Sequence, residues 1–174
     1  QTVYMLDIGY GSVGKMLRRR CEEVGASVVT GAIGFPTTRE RLVRDAVEGI
    51  PVDCALAVVD HIASNTGICL PLDEIVAGIR RRAPGCRILV DGAHGLASQE
   101  LDLRALRPDY YVTNCHKWLC SGKGLALLYV DTPELAAQTR KKVLVVDLAP
   151  EPGDIARADQ KRLASLLGAN GLRL

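Results

Sequence analysis

Short apolar runs rich in Val, Ile and Leu alternate along this chain with stretches whose apolar residues recur every three or four positions. The runs at residues 3–8, 27–33, 54–60, 87–91, 110–114 and 125–130 predict strands. Most are apolar without interruption, as in strands covered on both faces, so they predict a mostly parallel sheet. Between them Leu42, Val43, Ala46, Val47 and Ile50 fall on one helical face, behind Thr37 and Glu40 at capping-box spacing. Leu72, Ile75, Val76 and Ile79 repeat the pattern, and Pro84 with Gly85 punctuates its end. The expected architecture is α/β, a mostly parallel sheet flanked by helices, in one domain over residues 1–130. Residues 131–174 read as a tail of uncertain structure, with 143–148 as a further strand, 149–153 as a loop and 155–167 as a final helix.

Charge narrows the field of partners. Lys and Arg number 22 against 20 Asp and Glu in 174 residues, too even a balance to draw in nucleic acid or an acidic membrane surface. Arg18 to Arg20 and Arg80 to Arg82 read as solvated clusters near helix ends, where cations favour the last carbonyls. No apolar run approaches a membrane span and no leader pattern opens the chain, so the expectation is a cytoplasmic protein with no membrane partner. Six cysteines without a C-x-x-C pair read as buried free thiols in a reducing compartment. Strand-like residues follow Gln1 almost at once, which suggests a piece of a longer protein.

One motif invites a nucleotide. Gly9, Gly11 and Gly14 match G-x-G-x-x-G between a predicted strand and a predicted helix, the context of an NAD(P)-binding turn. Such a site needs a carboxylate at the end of the next strand to hold the ribose. That strand ends Thr30-Gly31-Ala32-Ile33, and Arg39, which could favour a phosphorylated ribose, lies in the next helix. A tight strand-to-helix turn accounts for the glycines better.

The chemistry concentrates between residues 88 and 130. One strand ends in Asp91-Gly92-Ala93-His94, the next in Asn114-Cys115-His116-Lys117-Trp118, and a glycine-flanked strand follows. Carboxyl ends of strands are where open α/β sheets bind ligands. A carboxylate closing a buried strand is costly unless a cation or donor meets it, so Asp91 wants a positive partner. Taken singly these residues have commoner uses: a surface lysine, a turn-capping aspartate, a polar loop histidine. His61 reads as a structural histidine at a strand end. Cys115, His116 and Cys120 match no usual zinc spacing, and no metal is expected.

Taken together, Val90-Asp91-Gly92-Ala93-His94, the spacing to Asn114-Cys115-His116-Lys117-Trp118-Leu119, and Gly122-Lys123-Gly124 before a strand resemble class V aminotransferases, in the isopenicillin-N-epimerase-like and cysteine-desulfurase-like branch. The likeness runs roughly from Leu6 to Val130. It implies the large-domain fold of fold-type-I enzymes that use pyridoxal 5′-phosphate, working as homodimers on an amino-acid substrate. Asp91 would pair with the pyridine nitrogen and Lys117 would form the Schiff base, then move protons at the substrate carbon. His94 stands near the cofactor's phenolic oxygen, His116 at a phosphate-contacting position, Asn114 where relatives often carry Ser, and Ser64 at a small polar position beside the ring. The implied reaction is at the α-carbon: transamination, epimerisation, or loss of a sulfur substituent in the lyase and desulfurase manner. The family's initial phosphate-gripping turn and its small C-terminal domain have no counterpart here. A catalytically incompetent domain kept for binding or assembly is the alternative.

Overall fold

The structure is a computed structural model that describes residues 1–140. Its elements run β1 (Thr2–Leu6), α1 (Gly11–Val24), β2 (Ser27–Gly31), α2 (Arg39–Glu48), β3 (Cys54–Asp60), α3 (Leu72–Arg82), β4 (Arg87–Asp91), α4 (Leu103–Leu106), β5 (Tyr110–Asn114), β6 (Ala126–Val130) and α5 (Pro133–Arg140). The six strands form one sheet in the order β2-β1-β3-β4-β5-β6. The first five are parallel, and β6 pairs antiparallel with β5. The reversal at β6 follows from the length of its connection. Residues 115–125 are too few to cross over and return with a helix, which a parallel neighbour requires.

All six predicted strands are present, and three are shorter than the apolar runs that signalled them. Ile8 and Ile33 are buried yet lie beyond their strands. The Gly9 amide turns back to the Leu6 carbonyl at 3.1 Å, and the Ile33 amide is taken by an Asp7 carboxylate oxygen at 3.1 Å. Apolarity marked burial there, not sheet pairing. Helix α2 is capped by Thr38 rather than Thr37: Thr38 is extended and its hydroxyl accepts from the Arg41 amide at 3.3 Å. The four-residue helix α4 is too short to show a period, and Asp102 starts it by accepting from the Arg104 and Ala105 amides. Helix α5 occupies the beginning of the segment that the sequence leaves unplaced, with Leu135 buried. The strand expected at 143–148 and the helix expected at 155–167 lie outside the described residues.

The core is one cluster in which Tyr4, Leu6, Ala57, Val59, Ile88 and Val90 of the central strands meet Leu42, Ala46, Ile75 and Ile79 of α2 and α3. Those helices touch closely, since the Gly78 backbone abuts Val47 and Arg39 pairs with Glu74 at 2.6 Å. Burying six or more such side chains at about 25 cal/mol per Å² of apolar surface outweighs the cost of ordering them. Among the described residues no helix is long and apolar enough to cross a membrane.

The arginine clusters largely follow expectation, with Arg18 to Arg20 exposed and Arg80 to Arg82 closing the last turn of α3. Arg18 to Arg20 sit inside α1, where Arg19 and Arg20 both pair with Glu23. In the last turn of α3, Arg80 is tied down: it donates to Asp109 at 2.7 Å and to the Cys86 and Arg107 carbonyls. Asp109, only 4% exposed, also accepts from Arg87 at 2.9 Å and from the Ile88 amide at 2.8 Å. Burial works against its charge, but the Ile88 amide and the two arginines outweigh that and hold the carboxyl below its usual range. A group depressed in the folded state stabilises above its unfolded value near 4 and stops doing so as pH falls through the lower folded value. Asp109→Asn should therefore lower unfolding free energy by about 2 kcal/mol at pH 7, discounted for the half-exposed arginines. The deficit should narrow as pH drops below about 4. Denaturant titration at pH 7 and pH 3 checks both parts.

Candidate active site

The carboxyl edge of β4 is shaped by two glycines. A side chain at Gly92 would collide with the Tyr111 ring, and one at Gly95 with the His61 imidazole and the Tyr111 hydroxyl. Bare backbone there lets Tyr111 reach under the turn to His61, whose Nδ1 lies 2.9 Å from the hydroxyl. His61 is 6% exposed, and burial lowers its pKa, so the ring stays neutral. Its role is structural, as its position at a strand end suggested. The Gly92 amide donates to the Val112 carbonyl at 2.7 Å and the Thr113 hydroxyl to the Gly92 carbonyl at 2.8 Å, stitching the turn to β5. The Asp91 carboxylate accepts from the Ala93 amide at 3.0 Å.

The second strand end is a closed loop. The Cys115 amide donates to the Leu125 carbonyl at 3.0 Å and the Ser121 amide to the Cys115 carbonyl at 3.2 Å, while Cys115 itself is buried. Between these ties the half-buried Lys117 brings Nζ to 3.3 Å from His94 Nε2. The Trp118 indole donates to His94 Nδ1 at 3.2 Å, with the two rings edge to face. The indole has only a donor, so Nδ1 must accept and the neutral ring carries its proton on Nε2, toward Lys117. Burial lowers the His94 pKa, the Lys117 cation lowers it further, and Asp91 opposes them.

The sequence-derived candidates thus divide. Lys117 and His94 are in direct contact, and Asp91 lies close enough to bear on His94. Asn114 is half-buried at the end of β5, His116 is exposed beside Lys117, and Ser64 is exposed in the turn after β3. These three share the same sheet edge but make no hydrogen bond to Lys117 or His94 among the described residues. Trp118 escaped the sequence reading, because nothing in its position announces a bond to a histidine 24 residues earlier. Asp60 escaped it too, although it closes Val58-Val59-Asp60 as Asp91 closes Leu89-Val90-Asp91. No group of three or more His, Cys, Asp or Glu is placed to hold a metal among the described residues. Of the cysteines, Cys69 and Cys120 are exposed and the other four buried, so the expectation of buried thiols fails at two positions that lie in loops.

A mostly parallel sheet with a lysine, a histidine and a carboxylate gathered at its carboxyl edge defines an α/β protein with its candidate site at that edge. The chain belongs to the class V aminotransferases: the family model Aminotransferase class-V matches residues 19–144. It is 31% identical over 135 residues to an L-cysteine desulfhydrase of Arabidopsis thaliana, covering 74% of this chain and 30% of that protein. It is 39% identical over 74 residues to the isopenicillin N epimerase of Amycolatopsis lactamdurans, covering 42% and 18%. Its fold matches the cystine C-S lyase C-DES with a TM-score of 0.68 at 24% identity, covering 79% of this chain and 36% of that one. A second structure of that lyase, with glycine covalently linked to its pyridoxal phosphate cofactor, matches at 0.67. The fold is the large-domain type of pyridoxal-phosphate enzymes, and the chain spans about a third of the length of the desulfhydrases it matches.

Pyridoxal 5′-phosphate is the cofactor of this family, and the residues fit it on two counts. Asp91 forms no ion pair among the described residues, which leaves its charge for a protonated ring nitrogen. Lys117 faces a histidine kept neutral, which suits attack on an aldehyde. The electrostatics are open to direct measurement. Lys117→Met should raise the His94 pKa toward its ordinary value, and Asp91→Asn should lower it further. A proton NMR titration of the imidazole in the cofactor-free chain checks both signs.

Proposed function

We propose that this chain is the cofactor-binding part of a pyridoxal-phosphate enzyme that breaks the C–S bond of a cysteine-type amino acid, with Lys117 as the Schiff-base lysine. The observation that carries the reading is the contact of Lys117 Nζ with His94 Nε2 at 3.3 Å, at the sheet edge where Asp91 also ends its strand. The desulfhydrase relatives support the choice of C–S chemistry over transamination or epimerisation.

When bound, the cofactor supplies an electron sink that acidifies the substrate's α-carbon. The rest falls to the protein. Asp91 holds the ring nitrogen in its protonated form, which deepens that sink. Lys117 would hold the cofactor and, as a free amine, would remove the substrate's α-proton, which prepares loss of the β-sulfur substituent. His94, held in one tautomer by Trp118, presents an N–H to the cofactor's phenolic oxygen or to the lysine. His116, Asn114 and Ser64 are assigned to the phosphate and the ring margin by the family resemblance. A homodimer that completes the pocket belongs to the same proposal.

Titration of the purified chain with pyridoxal 5′-phosphate, borohydride reduction and peptide mapping test it. A single phosphopyridoxyl adduct on Lys117 is expected, absent from a folded Lys117→Ala variant. Asp91→Ala should weaken cofactor binding by about tenfold or more, the order expected for losing one charge-assisted contact. Adducts spread over surface lysines, or retained after Lys117→Ala, would overturn the assignment. Sulfide release from cysteine by the loaded chain then separates the C–S reading from a domain kept only for binding.

A further inference from the structure

The glycine turn after β1 and the carboxylate of Asp60 are features that the cofactor assignments leave unused, and they meet each other. Asp60 ends β3 in register with Asp91 at the end of β4, so the two side chains leave the same face of adjacent parallel strands. Asp60 is 7% exposed, and no cation pairs with it among the described residues. On its other side lies the turn from β1 to α1. A side chain at Gly9 would come within 3.0 Å of Asp60 Oδ2 and of the Leu6 carbonyl. The close approach of a buried carboxylate thus favours glycine at this point of the motif without a nucleotide.

The sheet order adds a reason to look here. Strand β1 is flanked by β2 on one side and β3 on the other, so the connections reverse direction between β1 and β3. Beyond the carboxyl ends at such a reversal, open sheets form a crevice. Asp60 ends β3, one of the two strands at that reversal, with Asp91 in register on the neighbouring strand.

We infer that Asp60 is a positioning residue of the cofactor site, a second carboxylate that acts through Asp91 so that the pair takes up one protonated ring nitrogen and releases the proton Asp60 holds in its absence. The inference rests on the pyridoxal-phosphate reading and adds to it a proton linkage. Without a cation a buried carboxylate beside a half-buried one cannot ionise at low cost. Burial, and after it the Asp91 charge, push the Asp60 carboxyl up to about 6, against the Tyr10 amide and its own backbone amide, which lower it. The groups facing the pair are the turn backbone at Gly9 and Tyr10, Asp91 on β4, the Tyr111 hydroxyl on β5, and His94 in the following turn. None brings a permanent positive charge. A cation seated against Asp91 cancels the repulsion and lets the Asp60 proton leave. No bond is broken apart from this O–H, and the proton goes to solvent.

The test compares the wild-type chain with Asp60→Asn, which keeps the shape and can still accept from the turn. Dissociation constants for pyridoxal 5′-phosphate are measured by absorbance from pH 5 to 8, and unfolding midpoints of the cofactor-free chains are measured alongside. Taking the ratio of the two constants removes the pH dependences of the cofactor phosphate and of Lys117, which both proteins share. At pH 8 the variant should bind about three- to tenfold more weakly, the order of one nearby charge in a partly screened site. The gap should close as pH falls below about 6, where the wild-type Asp60 carboxyl takes up its proton and becomes as neutral as the asparagine. The cofactor-free variant should be no less stable than wild type at pH 8, because like-charge repulsion is relieved. A merely structural role predicts the opposite, a lower midpoint with a binding loss that does not vary with pH, and that result would overturn the inference. Equal constants at every pH, with the reduced adduct still mapping to Lys117, would overturn it and leave the cofactor assignment standing. No saturable binding by the wild-type chain would overturn both.

Discussion

Five parallel strands deliver their carboxyl ends to one edge, and two of them, β3 and β4, end there in aspartates. A buried carboxylate costs several kcal/mol unless something positive or a set of donors meets it. At the opposite end of the sheet the same cost is met inside the chain, where Asp109 collects two arginines and a backbone amide. At the carboxyl edge it is met only by backbone amides. The contrast between a satisfied carboxylate at one end and unpaired ones at the other separates scaffold from site.

Those glycines show how packing sets chemistry. Gly92 and Gly95 are small because Tyr111 and His61 need the volume that a methyl group would take. The buried tyrosine–histidine pair holds the floor of the turn, so His94 is presented from a fixed base. Trp118 then settles which imidazole nitrogen bears the proton. Each step is ordinary packing or hydrogen bonding, and together they orient one amine.

Sequence pattern carried the sheet well, because strands buried on both faces write uninterrupted apolar runs that need no tertiary information to read. It failed where apolarity and pairing part company, at Ile8 and Ile33, and where an element is too short to be periodic, at α4. At the site, Lys117, His94 and Asp91 were legible because strand ends and joint spacing place them. Trp118 was not, since its partner is set by how two turns fold over each other. Asp60 closes a second apolar run as Asp91 does, but only the strand order, which sequence pattern does not give, sets the two side by side. The exposure of Cys69 and Cys120 lay beyond pattern as well, because loop residues carry no period.

The antiparallel course of β6 has a bearing on how this edge can vary. Strand β5 enters the lysine loop and β6 leaves it, and the Cys115 and Leu125 backbones fasten its neck. Both anchors belong to the sheet, so inserting or deleting a residue between them cannot be absorbed by sliding a strand without turning its side chains to the wrong face. The slack would appear at Lys117. The connection between β4 and β5 is held by Leu103 and Leu106 in the core and by Asp109, but before α4 it passes through the exposed Gln99 and Glu100, where it can lengthen over the surface. Natural variation in loop length should therefore collect on the α4 side and be rare in the eleven residues that hold the lysine.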